Sequence, residues 1–315
     1  DRPEAHNNRF PLAPSHKRCY ATVDKAACTT FKWWLGDIEG IKDEVAAYLV
    51  RHKGTPKAAK GVHHAYGAVA PHLMPRSFAQ IRAVFESGSY FCFAVVRNPF
   101  TRIFSAWSDK ILKGRHDNTR YALSDAELFS QAPSSLEDVR RYFEDFVTYL
   151  HDRPGMVQAN RHWMPQFLLL RPDLLGYDCI VPLEEPGKLQ DALSRILGES
   201  YKNPLDGGGK KNTSLVTYHP DFITKRAADL IRLLYADDFA HFNYDPAHLP
   251  PGKVDLDPAN VKHRLAQLTR RGIRYAYQKL GKLEQEKKEL RNSPVRAFML
   301  FLSAVGGLFR IPLER

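Results

Sequence analysis

The sequence predicts an α/β protein with a central, mostly parallel sheet flanked by helices, and three stretches carry that prediction. Residues 20–35 and 89–110 each have the pattern of a strand, a short loop and a helix. Residues 177–183 form a further apolar run of strand length. Near-continuous apolar runs are typical of parallel strands that are buried on both faces.

The first unit has a short apolar strand at 19–23, a turn of small residues and a helix that begins near Cys28 or Thr29. Lys25 lies at the mouth of the turn, and Thr29 and Thr30 put hydroxyls in the first helical turn. Backbone N–H groups and the helix dipole favour anions at such a place. The pattern therefore indicates a phosphate or sulfate site, although an ordinary strand-to-helix connection with a solvated lysine would have the same residues.

The second unit opens on the apolar run 90–96, which Arg97 ends and Asn98-Pro99 breaks. Proline suits the first position of the helix that follows. Arg102 and Ser105 lie three residues apart on that helix, and guanidinium groups form forked hydrogen bonds with phosphate. Ligands in open α/β sheets bind at the carboxyl ends of strands, so both units point to one edge of the sheet.

The rest of the chain adds helices and one long irregular stretch. Residues 52–76 are rich in Gly, Pro, Ala and His and have no clear period. Apolar residues recur at helical spacing in 136–150, which indicates a core-facing helix within 122–151. Further helices are predicted at 77–86, 186–197 and 221–235.

Composition bounds the class of protein. The chain has 315 residues, is 43% hydrophobic and carries a formal net charge of +11. It can therefore bury a large core, and its charge favours anionic partners such as a polyphosphorylated nucleotide, an acidic glycan or a membrane. No nucleic-acid-binding motif is present. The four cysteines suggest no disulfide framework, and Cys92 and Cys179 fit buried strand thiols.

Six motifs resemble those of the carbohydrate sulfotransferases, in particular the family of chondroitin and dermatan sulfotransferases. The 5′-phosphosulfate loop is matched by K-A-A-C-T-T-F-K at 25–32, and the 3′-phosphate motif by V-V-R-N-P-F-T-R-I-F-S-A-W at 95–107. The other four are N-R-H-W-M-P-Q (160–166), Y-D-C-I-V-P-L-E (177–184), K-N-T-S (211–214) and L-L-Y-A-D-D-F-A-H-F-N-Y (233–244). The resemblance covers roughly residues 17–245 and implies a P-loop-like three-layer fold.

The resemblance implies that 3′-phosphoadenosine 5′-phosphosulfate is the donor, that a carbohydrate is the acceptor and that no metal takes part. Lys25 would stabilise charge on the leaving phosphate, while Arg97 and Ser105 would hold the 3′-phosphate. Asn212 and Ser214 would close over the nucleotide from a late loop. The full set of implied donor-binding residues is Lys25, Ala26, Ala27, Cys28, Thr29, Thr30, Arg97, Ser105, Asn212 and Ser214.

An acceptor hydroxyl needs a base, and histidine suits that role at neutral pH. In the family the base lies between the two phosphate motifs, which leaves His52, His63, His64 and His72. We favour His64 over His63, although their neighbours in sequence do not separate them. His162 and Trp163 resemble the segment beside the acceptor cleft, where Trp163 would stack on a sugar; a buried tryptophan beside a structural histidine is the alternative.

Three regions are expected: an irregular arm at 1–17, a sulfotransferase domain at 18–250 and a basic helical tail at 251–315. The tail ends in an apolar run near 295–307 that is short for a membrane span. It would bind a membrane surface, or pack on the domain or on a second copy of the chain. No signal peptide or anchor is recognised, and the cysteine pair of secreted relatives is missing, so we expect a bacterial, cytoplasmic enzyme.

Two other classes compete with this interpretation. A nucleotide kinase would have a similar core, but its loop needs G-x-x-x-x-G-K-[ST] and a carboxylate for magnesium. The loop at 24–30 has no glycine, and no second-strand aspartate stands out. A non-catalytic basic module that binds acidic glycan or membrane would explain the charge and the tail, but not two complementary nucleotide motifs.

Overall fold

The computed structural model describes residues 9–55, 61–112, 133–197 and 216–252, together with the single residues 266 and 285. Within these ranges the chain is an α/β protein with one four-stranded, largely parallel sheet flanked by helices, which confirms the predicted fold class. Apart from residues 251, 252, 266 and 285, the predicted basic tail lies outside the described residues, and so does the loop with Asn212 and Ser214.

The sheet has the strand order β1-β2-β3-β4, with β1 antiparallel to β2 and the other two pairs parallel. In the parallel pairs Ala21 lies opposite Ala94, and Val96 lies opposite Pro182. The strands are β1 Leu12–Ala13, β2 Arg18–Ala21, β3 Phe91–Val96 and β4 Cys179–Pro182.

The helices of the described part include those predicted at 77–86 and 186–197, together with several that the sequence analysis did not predict. In chain order they are α1 Cys28–Ile38, α2 Lys42–Arg51, α3 Val62–Val69, α4 Phe78–Glu86, α5 Pro99–Trp107, α6 Leu136–Asp152, α7 Pro154–Ala159, α8 Gln166–Leu170, α9 Pro186–Leu197, α10 Lys225–Leu234 and α11 Ala236–His241. A π-helical turn, Ser108–Leu112, continues α5, and short 3₁₀ turns occupy Pro14–His16, Pro71–Leu73 and Pro220–Phe222.

Side chains that alternate along the strands supply the core on the two faces of the sheet. Tyr20, Phe93 and Val95 pack with α1 and α3 on one face, whereas Cys19, Ala94 and Val96 pack with α4 and α8 on the other. Helices therefore cover both faces, as in a three-layer fold. The cysteines are present as thiols.

A separate helical cluster fixes α5. All nine residues of α5 are buried, and its aromatic side chains pack against α6 and α10. Phe104 contacts the ring of Phe143 with the centroids 5.1 Å apart, and Trp107 contacts the same ring at 5.4 Å. Because α5 is surrounded by core, the residues at its N-terminus have a well-defined position.

Segments at both the start and the middle of the chain differ from the sequence prediction. Leu12–Ala13, within the stretch expected to be irregular, pairs with β2 because its backbone lies beside the sheet edge. The stretch 52–76 contains α3 and a 3₁₀ turn, although its sequence has no helical period over a longer window. In the described part of the chain, no helix has both the length and the apolar character needed to cross a membrane.

Candidate functional site

The two strand ends that carry the anion-binding motifs are neighbours. β2 and β3 are parallel and in register, so the loops that follow them leave the sheet at the same edge. There, Nη1 of Arg97 donates a hydrogen bond to the backbone carbonyl of Lys25 at 3.1 Å. The structure thus brings the 25–32 motif and the 95–107 motif into direct contact.

The turn that precedes α1 has an unusual backbone. Lys25 (φ 71°) and Ala27 (φ 56°) both adopt the left-handed conformation, which costs a non-glycine residue roughly 1 kcal/mol or more. Ala27 is the N-cap of α1 and has no side-chain acceptor for the first-turn N–H groups. The N–H of Ala26 is bonded to the carbonyl of Val23 at 3.2 Å, so the prediction that this N–H binds an anion is wrong in this conformation. The N–H groups of residues 27–30 stay a predicted anion site.

Lys25 forms an ion pair that the sequence did not reveal. Its Nζ lies 3.0 Å from Oδ2 of Asp109, and both side chains are largely buried at 16% and 14% exposure. Asp109 belongs to the π-helical turn after α5, and Lys110 lies 3.8 Å from the same carboxylate oxygen. Asp109 therefore holds the ammonium group that we expect to meet the donor.

Arg97 lies just before α5 and contacts a hydroxyl residue of that helix, Thr101. Its Nε donates to Oγ1 of Thr101 at 3.0 Å, and Ser105 follows Thr101 by four residues, on the same face of the helix. Burial lowers the pKa of Arg97 from its usual value, and Glu184 opposes that shift. Asn98 caps the helix by accepting from the N–H of Phe100, with Pro99 at the first position as predicted.

Arg102 has a structural position. Its guanidinium is buried and donates to three backbone carbonyls, those of Asp24, Met164 and Arg161, at 2.9–3.1 Å. It therefore ties the phosphate loop to the segment before α8. The forked donors of Arg102, which the sequence analysis noted, are therefore bound within the fold.

Asp24 is a second carboxylate that sequence reasoning missed, and it lies among cations. Burial alone would raise the pKa of Asp24, but the charge of Arg161 and its neighbours outweighs burial and holds that pKa well below its usual range. Nε of Arg161 lies 3.1 Å from Oδ2 of Asp24. Lys32, also missed, is buried on α1, and burial lowers its pKa to about 8. A charged residue between Phe31 and Trp34 was the only signal for it.

The two histidines of α3 point to different neighbours. Nε2 of His63 lies 3.2 Å from Oγ1 of Thr29 and 3.7 Å from Sγ of Cys28, at the first turn of α1. Nε2 of His64 lies 3.3 Å from the hydroxyl of Tyr48 on α2. The structure therefore brings His63, and not the favoured His64, to the phosphate loop. Burial, reinforced by Lys32, lowers the pKa of His63 to about 3, so this imidazole is neutral at pH 7.

His162 and Trp163 have different surroundings. Trp163 is completely buried, donates from Nε1 to the carbonyl of Met156 and packs edge-on against Phe146. The prediction that Trp163 stacks on a sugar is therefore wrong, because its ring faces the core. His162 lies near Asp24 and Arg161, which we call the charged cluster, and its Nδ1 is 2.9 Å from Oδ1 of Asn160. Burial lowers the pKa of His162 to about 3.

The site contains cations and hydroxyls suited to an anionic ligand. Among the residues that the structure describes, no group of three or more His, Cys, Asp or Glu side chains could hold a metal ion.

Comparisons with known proteins agree with these motifs. Human carbohydrate sulfotransferase 9 is 25% identical over 75% of this chain and 53% of its own length. Carbohydrate sulfotransferase 10 from Danio rerio is 30% identical over 77% of the chain and 68% of its own length, and human carbohydrate sulfotransferase 14 is 29% identical over 54% and 41%. The chain thus spans about half the length of the first of these relatives.

No solved structure matches the chain significantly. The family profile described as "Sulfotransferase family" matches residues 8–245, which include both phosphate motifs and the three later motifs that the structure describes. Three quarters of the sequence is therefore accounted for by one profile, and the chain belongs to the sulfotransferase family.

Proposed function

We propose that this protein transfers a sulfuryl group from 3′-phosphoadenosine 5′-phosphosulfate to a carbohydrate hydroxyl. One observation carries the proposal: the hydrogen bond from Arg97 to the carbonyl of Lys25 joins the two predicted phosphate sites at one sheet edge. A nucleotide that bears anionic groups at both its 3′ and its 5′ positions needs two such sites side by side. The relatives' printed names point to carbohydrate acceptors.

The residues present fit this donor. Lys25 and the first turn of α1 offer an ammonium, two hydroxyls and helix N-terminal N–H groups for the 5′ end. Arg97 and Ser105 offer a guanidinium and a hydroxyl for the 3′-phosphate. When bound, the donor supplies a sulfuryl group on a phosphate leaving group. Lys25 then counters the negative charge that builds on that phosphate.

We assign the general base to His63. Its ring contacts the threonine hydroxyl of the phosphate loop, and its low pKa keeps it in the neutral form that accepts a proton at pH 7. Anionic groups bound at the loop would raise that pKa, which makes His63 a stronger base when it is needed. His162 is the second candidate, because it borders the same charged cluster and has the same depressed pKa.

The acceptor is proposed to be an acidic glycan. The net charge of +11 favours a polyanion, and Arg161, whose side chain is 40% exposed next to Asp24, offers a cation beside the site. A bacterial, cytoplasmic location, with the basic tail at a membrane surface or against a second copy, completes the proposal.

Binding and transfer assays test the proposal together. Adenosine 3′,5′-bisphosphate, the desulfated donor, should raise the melting temperature, whereas ATP with magnesium should not. Labelled donor should then pass sulfate to one member of a panel of acidic and neutral glycans. Stabilisation by ATP and magnesium alone would favour a kinase, and stabilisation by neither nucleotide would favour a glycan- or membrane-binding module.

A further inference from the structure

Three of the later motifs each end near Arg97, and the residue that ends each motif has no role in the proposed reaction. Gln166 is the last residue of the 160–166 motif, Glu184 of the 177–184 motif and Tyr244 of the 233–244 motif. They lie 60 or more residues beyond Arg97 in the chain. The structure brings all three residues close to Arg97, and the contacts described next explain how.

Gln166 fixes the backbone of Arg97. Its Oε1 accepts from the N–H of Arg97 at 2.8 Å, and its Nε2 donates to the carbonyl of Arg97 at 2.8 Å. Asp238 accepts from the same Nε2 at 3.2 Å and from the N–H of Gln166 at 2.9 Å. Because a carboxylate only accepts, Asp238 sets the orientation of the amide. The main chain at Arg97 is thereby held from two sides.

A second set of hydrogen bonds holds the side chain. Nε of Arg97 donates to Oγ1 of Thr101 at 3.0 Å, and this hydroxyl lies 3.3 Å from Oε1 of Glu184. The same Oε1 accepts from the N–H of Asn98 at 3.1 Å, and the hydroxyl of Tyr244 donates to Oε2 at 3.1 Å. The order of contacts is Tyr244, Glu184, Thr101 and Arg97. We call this set the Arg97 relay.

The relay constrains the guanidinium of Arg97, the group proposed to bind the 3′-phosphate. A guanidinium has five N–H donors, and here one is bound by Thr101 and one by the carbonyl of Lys25. Two contacts at different nitrogens fix both the position and the plane of the group. A preorganised fork loses less side-chain freedom when it binds, and its forked geometry suits phosphate.

We propose that Thr101, Glu184 and Tyr244 are positioning residues that hold the guanidinium of Arg97 and so set the preference for a nucleotide with a 3′-phosphate. This inference rests on the proposed function, in which Arg97 binds that phosphate. It assigns a role to two motifs that touch neither the 5′ end of the site nor the predicted base. It also places specificity for the donor partly in the turn after β4 and in the segment after α11.

The test measures what the 3′-phosphate adds to binding. Calorimetry on the full chain gives Kd for adenosine 5′-phosphate and for adenosine 3′,5′-bisphosphate, and their ratio is the 3′-phosphate preference. Thr101→Val, which keeps the volume but loses the hydroxyl, should lower this ratio about tenfold, as expected for a hydrogen bond to a charged group. Tyr244→Phe should lower it about threefold, because it acts through Glu184. Thr101→Ser keeps the hydroxyl and should keep the ratio.

Tyr177→Phe is the matched control, since Tyr177 also donates one hydrogen bond, to the carbonyl of Leu170 at 2.8 Å, away from the relay. It should leave the ratio unchanged. If a substitution only destabilised the fold, it would weaken the binding of both nucleotides equally and leave the ratio at the wild-type value. An equal loss of affinity for both nucleotides in Thr101→Val would overturn the inference. An equal fall of the ratio in Thr101→Val and Thr101→Ser would overturn it too.

Arg97→Ala separates this inference from the function on which it depends. If Arg97→Ala leaves the ratio unchanged, the proposed 3′-phosphate site is wrong. If Arg97→Ala lowers the ratio but Thr101→Val and Tyr244→Phe do not, only the relay is refuted. Tyr244 is near the surface, so Tyr244→Phe decides the question even if Thr101→Val does not fold.

Discussion

Removal of the charge of Asp109 should tighten nucleotide binding. The carboxylate of Asp109 lies 3.0 Å from Nζ of Lys25, the cation assigned to the 5′ end of the donor. An anion that binds Lys25 is therefore repelled by the carboxylate of Asp109. Asp109→Asn keeps the shape of the side chain and a hydrogen-bond acceptor for the ammonium, but removes the negative charge.

The size of the effect follows from Coulomb's law. A phosphate on the far side of the ammonium would lie about 6 Å from the carboxylate, where two unit charges repel by about 3 kcal/mol at an effective dielectric of about 20. Salt and partial exposure reduce this value, so we expect adenosine 3′,5′-bisphosphate to bind about 10- to 100-fold more tightly. The protein itself should lose about 1–3 kcal/mol of unfolding free energy, because Lys25 then lacks its counter-charge.

Calorimetric titration at two salt concentrations, together with urea denaturation, measures both quantities. Asp37→Asn is the control, because its pair with Lys42 at 2.8 Å is about half exposed and lies far along α1 from the loop. It should change neither affinity nor stability by much. If Asp109→Asn folds but binds the nucleotide no more tightly than wild type, Asp109 does not oppose the donor and the reasoning fails.

Three further outcomes test the site. His63→Gln should reduce turnover by about 100-fold or more at unchanged Kd for adenosine 3′,5′-bisphosphate, whereas the same change at His64 should preserve turnover; the reverse pattern in a labelled-donor assay would restore His64 as the base. The pKa of His63 is about 3 in the folded protein, so between pH 6.5 and 3 this residue binds more protons in the unfolded chain than in the folded one. His63 should therefore lower the unfolding free energy by about 1.4 kcal/mol for each pH unit of acidification in that range. Urea denaturation of His63→Gln at pH 6 and 5 should show that slope reduced, and equal slopes would contradict the assignment. Trp163→Phe should lower the unfolding free energy by about 2 kcal/mol through the lost hydrogen bond and the cavity, with KM for the acceptor unchanged; a selective rise in KM would return Trp163 to the acceptor site.

The parts of the fold that the sequence predicts are those with a local signal. The apolar run that became β3 and the proline that begins α5 both act within a few residues. The start of α1 at Cys28 follows from the same kind of local pattern. Short-range sterics and periodic burial explain these features without any tertiary information.

The residues that the sequence missed are coupled over long distances. Lys25 and Asp109 are 84 residues apart, and neither has a periodic or turn signal that points to the other. The choice between His63 and His64 depended on the direction in which α3 presents each side chain, since adjacent helical residues differ by about 100° around the axis. Trp163 could equally have been exposed or buried by composition alone. Only tertiary packing decides such cases.

The two carboxylates of the site have different tasks, and the charges around each of them explain the difference. Asp24 pairs with Arg161 and also interacts electrostatically with Arg9 and Lys32. These cations would repel one another without it, and its depressed pKa indicates that the attraction of its charged neighbours exceeds the effect of burial. Removal of its charge should therefore destabilise the fold before it affects any ligand. Asp109 lies instead on Lys25, where a bound anion can replace its contact. Asp24 thus stabilises the cluster of cations, whereas Asp109 repels the negative charge of the donor that binds at Lys25.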